Sequence, residues 1–269
     1  EGSLFFWILG ERTFSLSTPG IAKFDFYGQQ FLRPYATFPH PNVLAGFLTI
    51  VPLILWGMLN GKDLTKGRMF LLGFIVSSLA LVLTVSRTAI LIFVLSWAYL
   101  QKRFFLWVIL GVILLFPILY VRYSAIFNFD KISFLRREAL TLQSIELVSK
   151  NPRLGVGLNN FIPASSSNLS AGPSRFLQPV HNIFLLALSE TGIVGLLGFL
   201  LLIGYPIWKL FKLPATNYQP RTTLLICWSI IIFLGLFDHY FLTLSQGYRL
   251  LFLIWGLSLS IFNSKSLVD

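Results

Sequence analysis

A few arginine, histidine and acidic residues stand at the ends of long apolar runs in this sequence. Arg87 separates two such runs, His181 and Asn182 precede a third, and Asp238 and His239 follow a fourth. Guanidinium binds phosphate through paired donors, but an arginine at a membrane surface also anchors to lipid phosphates. For Arg87 alone the two interpretations are equally good. An imidazole can act as a general base near neutral pH, although a histidine at the start of a helix is more often interfacial.

No metal or cofactor pattern accompanies these residues. The three histidines, the single cysteine and the nearby carboxylates form no ligand cluster of recognised spacing. The sequence also has no Walker loop, dinucleotide fingerprint or nucleophile elbow. We therefore expect neither a metal nor an organic cofactor. Cys227 lies within an apolar run, and we interpret it as a packing residue.

The composition indicates that lipid surrounds most of the chain. Of 269 residues, 55% are hydrophobic and 12% are charged, and the mean hydropathy is +0.76. The formal charge of +11 comes from bases scattered singly or in pairs, which favours contact with membrane lipids and not with nucleic acid. We predict an all-α polytopic bundle of seven transmembrane helices, at about 42–59, 69–85, 88–100, 104–121, 182–208, 222–237 and 247–263.

Alternation of these spans assigns the loops to two sides of the membrane. Short loops rich in lysine and arginine mark the cytoplasmic side, and they are 60–68, 101–103 and 209–221. The other side receives the N-terminal segment and the segments 86–88, 122–181 and 238–246. The pair Arg136 and Arg137 belongs to the long loop. All the candidate residues therefore fall on one extracytoplasmic face.

The long loop is predicted to contain one helix. Residues 134–150 carry apolar side chains at a helical spacing, at 135, 139, 142, 145 and 148, and Pro152 ends the pattern. Residues 162–175, rich in Ser, Asn, Pro and Gly, are predicted to form a mobile loop. We expect a truncated span and an extracytoplasmic segment over 1–41, four transmembrane helices over 42–121, this loop over 122–181, and three transmembrane helices with a short cytoplasmic tail over 182–269.

The span after His181 contains two glycines and one carboxylate. At 100° per residue, Gly192 and Gly195 fall within about 40° of His181, so we expect another helix to approach closely along this face. Both glycines are candidate supports of the histidine, as are Asp238 and His239. Glu190 falls on the opposite side of the helix, and we expect it to be protonated or paired in a structural role.

Four stretches share an order and spacing with a known family. They are TFPHPNVLAGFL (37–48), with a Pro-Asn-x-Leu-Ala-Gly segment; TVSRTA (84–89), with a Ser-Arg motif; RREALTLQSIELVSKNPRLGVGLNNF (136–161); and 181–195, with a His-[Asn/Ser/Gln]-x9-Gly-x-x-Gly pattern. Together they resemble the O-antigen ligase and O-antigen polymerase superfamily of bacterial membrane glycosyltransferases. Thr141 departs from that family, which often has an aromatic residue there.

The resemblance implies a metal-independent glycan transfer at the extracytoplasmic face of the bacterial cytoplasmic membrane. The donor would be a glycan on a polyprenyl-diphosphate carrier, and the acceptor hydroxyl would belong to a lipid, a glycan or a protein. Arg87 and Arg137, with Arg136 as the adjacent candidate, would hold the diphosphate. His181 would orient or deprotonate the acceptor hydroxyl, with support from Asn182.

Two other functions remain alternatives at this point. A transporter or flippase of lipid-linked anionic glycans also needs arginines in a polytopic chain, although such proteins usually show repeated halves, which are not evident here. A non-catalytic assembly partner of a synthase would carry the same residues as interfacial anchors. Substitutions at Arg87, Arg137 and His181 would then leave glycan synthesis intact.

The loop assignment makes a direct prediction about sidedness. A small epitope tag inserted in 60–68 should be shielded in cells with an intact cytoplasmic membrane, whereas a tag in 162–175 should be accessible. Labelling with a membrane-impermeant reagent before and after permeabilisation measures this. The reverse pattern would contradict both the topology and the extracytoplasmic site.

Overall fold

The computed structural model describes residues 10–11, 13–18, 20–26, 28–58, 64–101, 131–165, 178–213 and 218–263. The chain divides into two compact units, Glu1–Phe129 and Asp130–Asp269. Helices dominate the described residues of both units, which confirms the predominantly helical fold predicted from the apolar runs.

The first unit contains a β-hairpin and three helices. Strands β1 (Lys23–Phe26) and β2 (Gln29–Leu32) pair antiparallel, an element that the sequence analysis did not predict. Helices α1 (Pro41–Met58), α2 (Leu64–Leu83) and α3 (Arg87–Leu100) follow, where the first three spans were expected. An aromatic cluster packs between the helices and consists of Trp56, Phe70, Phe74, Phe93 and Trp97.

The turn between α2 and α3 places Arg87 at the first residue of a helix. Val85 adopts a φ of +54°, and the Thr84 hydroxyl accepts a hydrogen bond from the N–H of Ser86 at 3.3 Å. These contacts close the turn at 84–86, slightly earlier than the break expected at 86–88. Arg87 is consequently fixed to the start of α3 and is not a loop residue.

The second unit contains six helices in its described residues, and α6 lies at its centre. They are α4 (Lys131–Lys150), α5 (Phe161–Ser165), α6 (Ile183–Lys212), α7 (Tyr218–Gly235), α8 (Tyr240–Thr243) and α9 (Ser245–Asn263). Helix α6 packs against α4, α7 and α9. The indole N–H of Trp228 donates to the Ser258 hydroxyl at 3.0 Å, which joins α7 to α9.

Helix α4 packs on α6 through the side opposite to its predicted apolar stripe. Leu140 and Leu147 are buried in a core shared with α5 and α6, and the Ser144 hydroxyl donates to the Leu185 carbonyl at 3.3 Å. Leu142 and Ile145, which belong to the predicted stripe, are exposed. The pattern at 134–150 therefore predicted a helix but not the face that the core buries.

Helix α6 is broken at Gly192, which has φ +63° and ψ −168°. The turn that follows α4, residues 151–157, binds the broken segment through its backbone. Four hydrogen bonds join them: Val156 N–H to the Ser189 carbonyl (3.0 Å), Gly157 N–H to the Glu190 carbonyl (2.8 Å), Ile193 N–H to the Pro152 carbonyl (2.9 Å) and Val194 N–H to the Arg153 carbonyl (3.4 Å). We call this contact the kink joint. It satisfies backbone groups that the break in α6 would otherwise leave without partners.

Glycine is required at the kink joint for two reasons. The positive φ of Gly192 is strained for any other residue, and a Cβ there would overlap the backbone of Arg153 and Leu154. A Cβ on Gly155 would overlap the backbone of Glu190. The expected close approach of a second helix at Gly192 is therefore wrong. Gly192 breaks its own helix, and the turn at 151–157 packs against it in place of a helix. The angle of 100° per residue counted from His181 therefore does not apply to residues beyond Gly192.

The break also changes the direction of α6. Near one end, Arg221 Nη1 donates to the Leu213 carbonyl at 3.1 Å, and near the other, Asn182 Nδ2 donates to the Leu236 carbonyl at 3.4 Å. Straight helices between these contacts would be about 46 Å long for α6 and about 22 Å long for α7 at about 1.5 Å per residue. Residues 183–191 must therefore turn back toward the end of α7.

Two described helices, Pro41–Met58 and Ile183–Lys212, are long and apolar enough to cross a membrane, and three shorter ones are apolar. The segment predicted as a span at 104–121 lies outside the described residues. So do residues 166–175 of the predicted mobile loop, whose first residues, 162–165, instead belong to α5.

We predict that Gly192→Ala destabilises the protein while Gly198→Ala does not. The first substitution forces a side chain into a left-handed conformation against backbone, which costs at least about 1–2 kcal/mol. Gly198 is a matched control in the same helix, since a Cβ there meets nothing within 4 Å. Thermal unfolding in detergent measures both, and equal midpoints for the two variants would contradict the role of the kink joint.

Candidate active site

Arg137 on α4 is held at the C-terminal end of α7. Its Nη1 atom donates to the Phe237 carbonyl at 2.9 Å, just beyond the last residue of α7. A helix C-terminus carries partial negative charge and carbonyls without helical partners, so it attracts a guanidinium. Arg136, its neighbour, is exposed. The structure thus fixes one arginine of the predicted pair.

Asn182 caps the N-terminus of α6. Its Oδ1 atom accepts hydrogen bonds from the N–H groups of Phe184 at 2.9 Å and Leu185 at 3.0 Å. Its Nδ2 atom donates to the Leu236 carbonyl. The Asn side chain therefore fixes the start of α6, and with it His181, against the turn after α7.

His181 lies beside His239, a residue predicted only as support. The two ring centroids are 5.2 Å apart and the rings meet edge to face at 72°. The Nδ1 atom of His239 is 2.7 Å from the Thr243 hydroxyl, and its backbone N–H donates to the Asp238 carboxylate at 2.8 Å. A pair of imidazoles thus occupies the place where the ends of α6 and α7 meet.

The surroundings of His239 favour its neutral form. Burial lowers the pKa of its imidazole, and the positive charge of Arg137 lowers it further, whereas the Asp238 carboxylate raises it. The net shift is downward from the ordinary value. At neutral pH His239 is therefore an uncharged neighbour of His181.

Tyr240 is a buried residue of this region that the sequence analysis missed. Burial and the nearby Asp238 carboxylate raise the pKa of its phenol well above the ordinary value, so the hydroxyl stays protonated. Its oxygen has no hydrogen-bond partner among the described residues. No sequence signal distinguished it, because a tyrosine among apolar residues usually indicates packing.

The second unit therefore brings together most of the predicted residues around one turn, 236–239. They are Arg137, His181, Asn182, Asp238 and His239. Gly192 belongs to the kink joint, and a Cβ on Gly195 would overlap the Thr191 side chain of the same helix. Arg87 belongs to the first unit, where it begins α3.

The turn before Arg87 is held by a residue that the sequence analysis did not single out. Arg33 donates from Nε to the Thr84 carbonyl at 2.7 Å and from Nη2 to the Asn42 Oδ1 at 2.8 Å. The Nδ1 atom of His40 accepts from the N–H of Asn42 at 3.1 Å. Arg33 thus connects the Pro-Asn segment to the Ser-Arg turn. It lies in no recognisable pattern, so only the fold identifies it.

Glu190 has a structural contact. It is buried, and its Oε1 atom accepts a hydrogen bond from the N–H of Phe161 at 3.2 Å, at the start of α5. This contact supports the paired structural role expected for it. Across the described parts of the chain, no group of three or more His, Cys, Asp or Glu side chains could hold a metal ion.

Fold and site together define a class of protein. A histidine pair and the Arg137 guanidinium lie where helix ends meet, beside the apolar helix Ile183–Lys212 of membrane-crossing length. Residues 72–200 match the protein family described as O-antigen ligase, and this match supports the resemblance to the O-antigen ligase superfamily. That family consists of membrane glycosyltransferases of bacterial polysaccharide biosynthesis. No curated protein matches the chain in sequence.

We predict an energetic coupling between Arg33 and Asn42. Because they share a charged hydrogen bond that is partly buried, a double-mutant cycle with Arg33→Ala and Asn42→Ala should give a coupling of about 1 kcal/mol in the free energy of unfolding. Arg33→Ala combined with Ser96→Ala is the control pair, since the Ser96 hydroxyl donates within its own helix to Ile92. Additive effects for both pairs would contradict the contact.

Proposed function

We propose that this protein is a glycan ligase or polymerase that uses a polyprenyl-diphosphate-linked donor. The glycan passes to a hydroxyl of a lipid, glycan or protein acceptor at the extracytoplasmic face, without a metal. The observation that carries the proposal is the meeting of Arg137, His181 and His239 at one turn. The match of residues 72–200 to the O-antigen ligase family supports the reaction class.

The leaving group explains why such a site can be small. Transfer breaks the bond between the anomeric carbon and the diphosphate oxygen, and the bonding electrons leave with the diphosphate. The acceptor oxygen forms the new bond to the anomeric carbon and gives its proton to His181 as general base. Because a diphosphate is already a good leaving group, catalysis needs orientation and charge stabilisation more than covalent chemistry.

The charged residues supply the stabilisation in this proposal. Arg137 is held by one nitrogen at the Phe237 carbonyl, which leaves other guanidinium donors to bind diphosphate oxygens. Arg87 provides a second cation, and Arg136 is the more exposed neighbour. His239 stays neutral and packs against His181. It therefore adds no second positive charge when His181 accepts the proton beside the anionic diphosphate. Asp238 and Asn182 orient the two imidazoles through their backbone contacts.

The proposal includes the membrane arrangement. Seven transmembrane helices, the extracytoplasmic loop 122–181 and a cytoplasmic tail would place the 236–239 turn, Arg87 and Arg137 on the extracytoplasmic face. On the opposite side, Lys209 and Lys212 lie over the rings of Tyr205 and Trp208 near the end of α6. Aromatic and basic residues of this kind collect at the cytoplasmic interface of a membrane.

The test is glycan transfer by the full-length protein in membranes. We expect His181→Ala, Arg87→Ala and Arg137→Ala to reduce the transfer rate by about 100-fold or more at matched protein levels, while the lipid-linked donor accumulates. Lys150→Ala is a matched control on α4, because that lysine pairs with Glu146 at 2.6 Å and is exposed. Arg136→Ala, with the more exposed guanidinium, should lose less than Arg137→Ala.

The outcomes separate the competing functions. Normal transfer in all three variants would overturn the proposal and favour an assembly partner with interfacial residues. Loss of donor movement across the membrane, with transfer retained when donor is supplied on the extracytoplasmic side, would favour a transporter. Arg137→Lys tests geometry, since a lysine keeps the charge but loses the planar fork and should restore only part of the rate.

A further inference from the structure

Two leucines stand exposed in the turn that follows α4. The side chains of Leu154 and Leu158 are 74% and 72% exposed, among the highest values for large apolar residues in the described chain. The kink joint holds the first part of this turn by backbone hydrogen bonds, and Asn159 with a φ of +60° shapes its end. Neither leucine can retract into the core without breaking these contacts, so the exposure is built into the fold.

The exposed leucines adjoin an apolar surface of α6. Ile193, Val194 and Leu197 begin the second segment of α6 and are 45%, 61% and 54% exposed. The N–H of Val194 donates to the Arg153 carbonyl at 3.4 Å, so the turn directly contacts this surface. Single exposed leucines are ordinary, but five large exposed apolar side chains on two adjoining segments are typical of an interaction site.

The position of this apolar surface along α6 indicates that lipid covers it. Trp208 and Lys209 mark one interface, and Gly192 lies sixteen residues earlier, at about 24 Å along a helix. The hydrocarbon layer is about 30 Å thick. The kink joint therefore falls near the other edge of that layer, at the depth where lipid headgroups meet acyl chains. Residues 151–160 contain one charged side chain, Arg153, whose positive charge complements lipid phosphates.

We propose that residues 151–160 form a fixed anchor in the lipid interface, with Leu154 and Leu158 inserted among the acyl chains and Arg153 at the phosphates. The inference rests on the membrane arrangement proposed above. The kink joint would also set the depth of the candidate site in the membrane, because α4, which carries Arg137, continues directly into residues 151–160. A shallow insertion of about 5–10 Å is usual for apolar side chains that lie at a membrane surface.

The test places spin labels on the full chain in phospholipid nanodiscs. In a Cys227→Ala background, single cysteines replace Leu154, Leu158, Leu201 or Ser149. Leu201 is an exposed residue in the middle of α6 and reports lipid, whereas Ser149 is an exposed polar position five residues before Leu154. Labels at 154 and 158 should collide with oxygen more often than with a water-soluble nickel complex, as at 201, and the label at 149 should show the reverse.

Two results would overturn the anchor. If the labels at 154 and 158 are as accessible to nickel as the label at 149, the turn lies in water. If they are inaccessible to both reagents, protein covers the turn, either the first unit or a second copy of the chain. Failure of the label at 201 to contact lipid would instead contradict the membrane arrangement itself.

A second measurement needs no substitution. Phospholipid with a photoreactive group in its acyl chain, built into the same nanodiscs, should leave adducts on the peptide containing 151–160 of the unmodified protein. Adducts on α6 without any on that peptide would reject the anchor. Because lipid contact is measured without donor or acceptor, normal glycan transfer by His181→Ala, which would overturn the proposed function, would not change this result. Failure of the proposed reaction can therefore be distinguished from failure of the anchor.

Discussion

The backbone contact between the turn at 151–157 and the broken helix α6 determines the geometry of the second unit. Hydrogen bonds from the turn to the carbonyls of Ser189 and Glu190 replace helical hydrogen bonds that α6 loses at Gly192. Because the helix is broken there, residues 183–191 can turn back, and Asn182 can reach the Leu236 carbonyl at the end of α7. A straight α6 would carry His181 well beyond that point. The histidine pair thus depends on one strained glycine.

A second interaction recurs at three arginines of the described residues. Arg33 donates to a carbonyl just after α2, Arg137 to one just after α7, and Arg221 to one just after α6. The last carbonyls of a helix have no helical partners and carry the negative end of its dipole, so a guanidinium is a favourable cap. In a bundle with few polar groups, such caps hold long side chains and still leave donors for a ligand.

Around the 236–239 turn, a neutral imidazole lies beside charged side chains. Burial and Arg137 together keep His239 neutral, in spite of the adjacent Asp238 carboxylate. In the proposed reaction, the positive charge would reside on Arg137, where a diphosphate would bind, and His181 would accept a proton without a charged imidazole beside it. The proposed transfer from an activated anionic carrier would need this division of roles.

The sequence by itself determined the helical class, the approximate bounds of most helices and the residues that carry charge, because apolar runs and their polar interruptions are local properties. It also identified Asn182 beside His181 and the glycine at 192, although it attributed that glycine to helix packing. Only the tertiary structure decided which residues meet: the His181–His239 pair, the Arg33 bridge, and the outward face of α4. These depend on contacts between segments far apart in the chain, and periodicity within one segment carries no information about its distant partners.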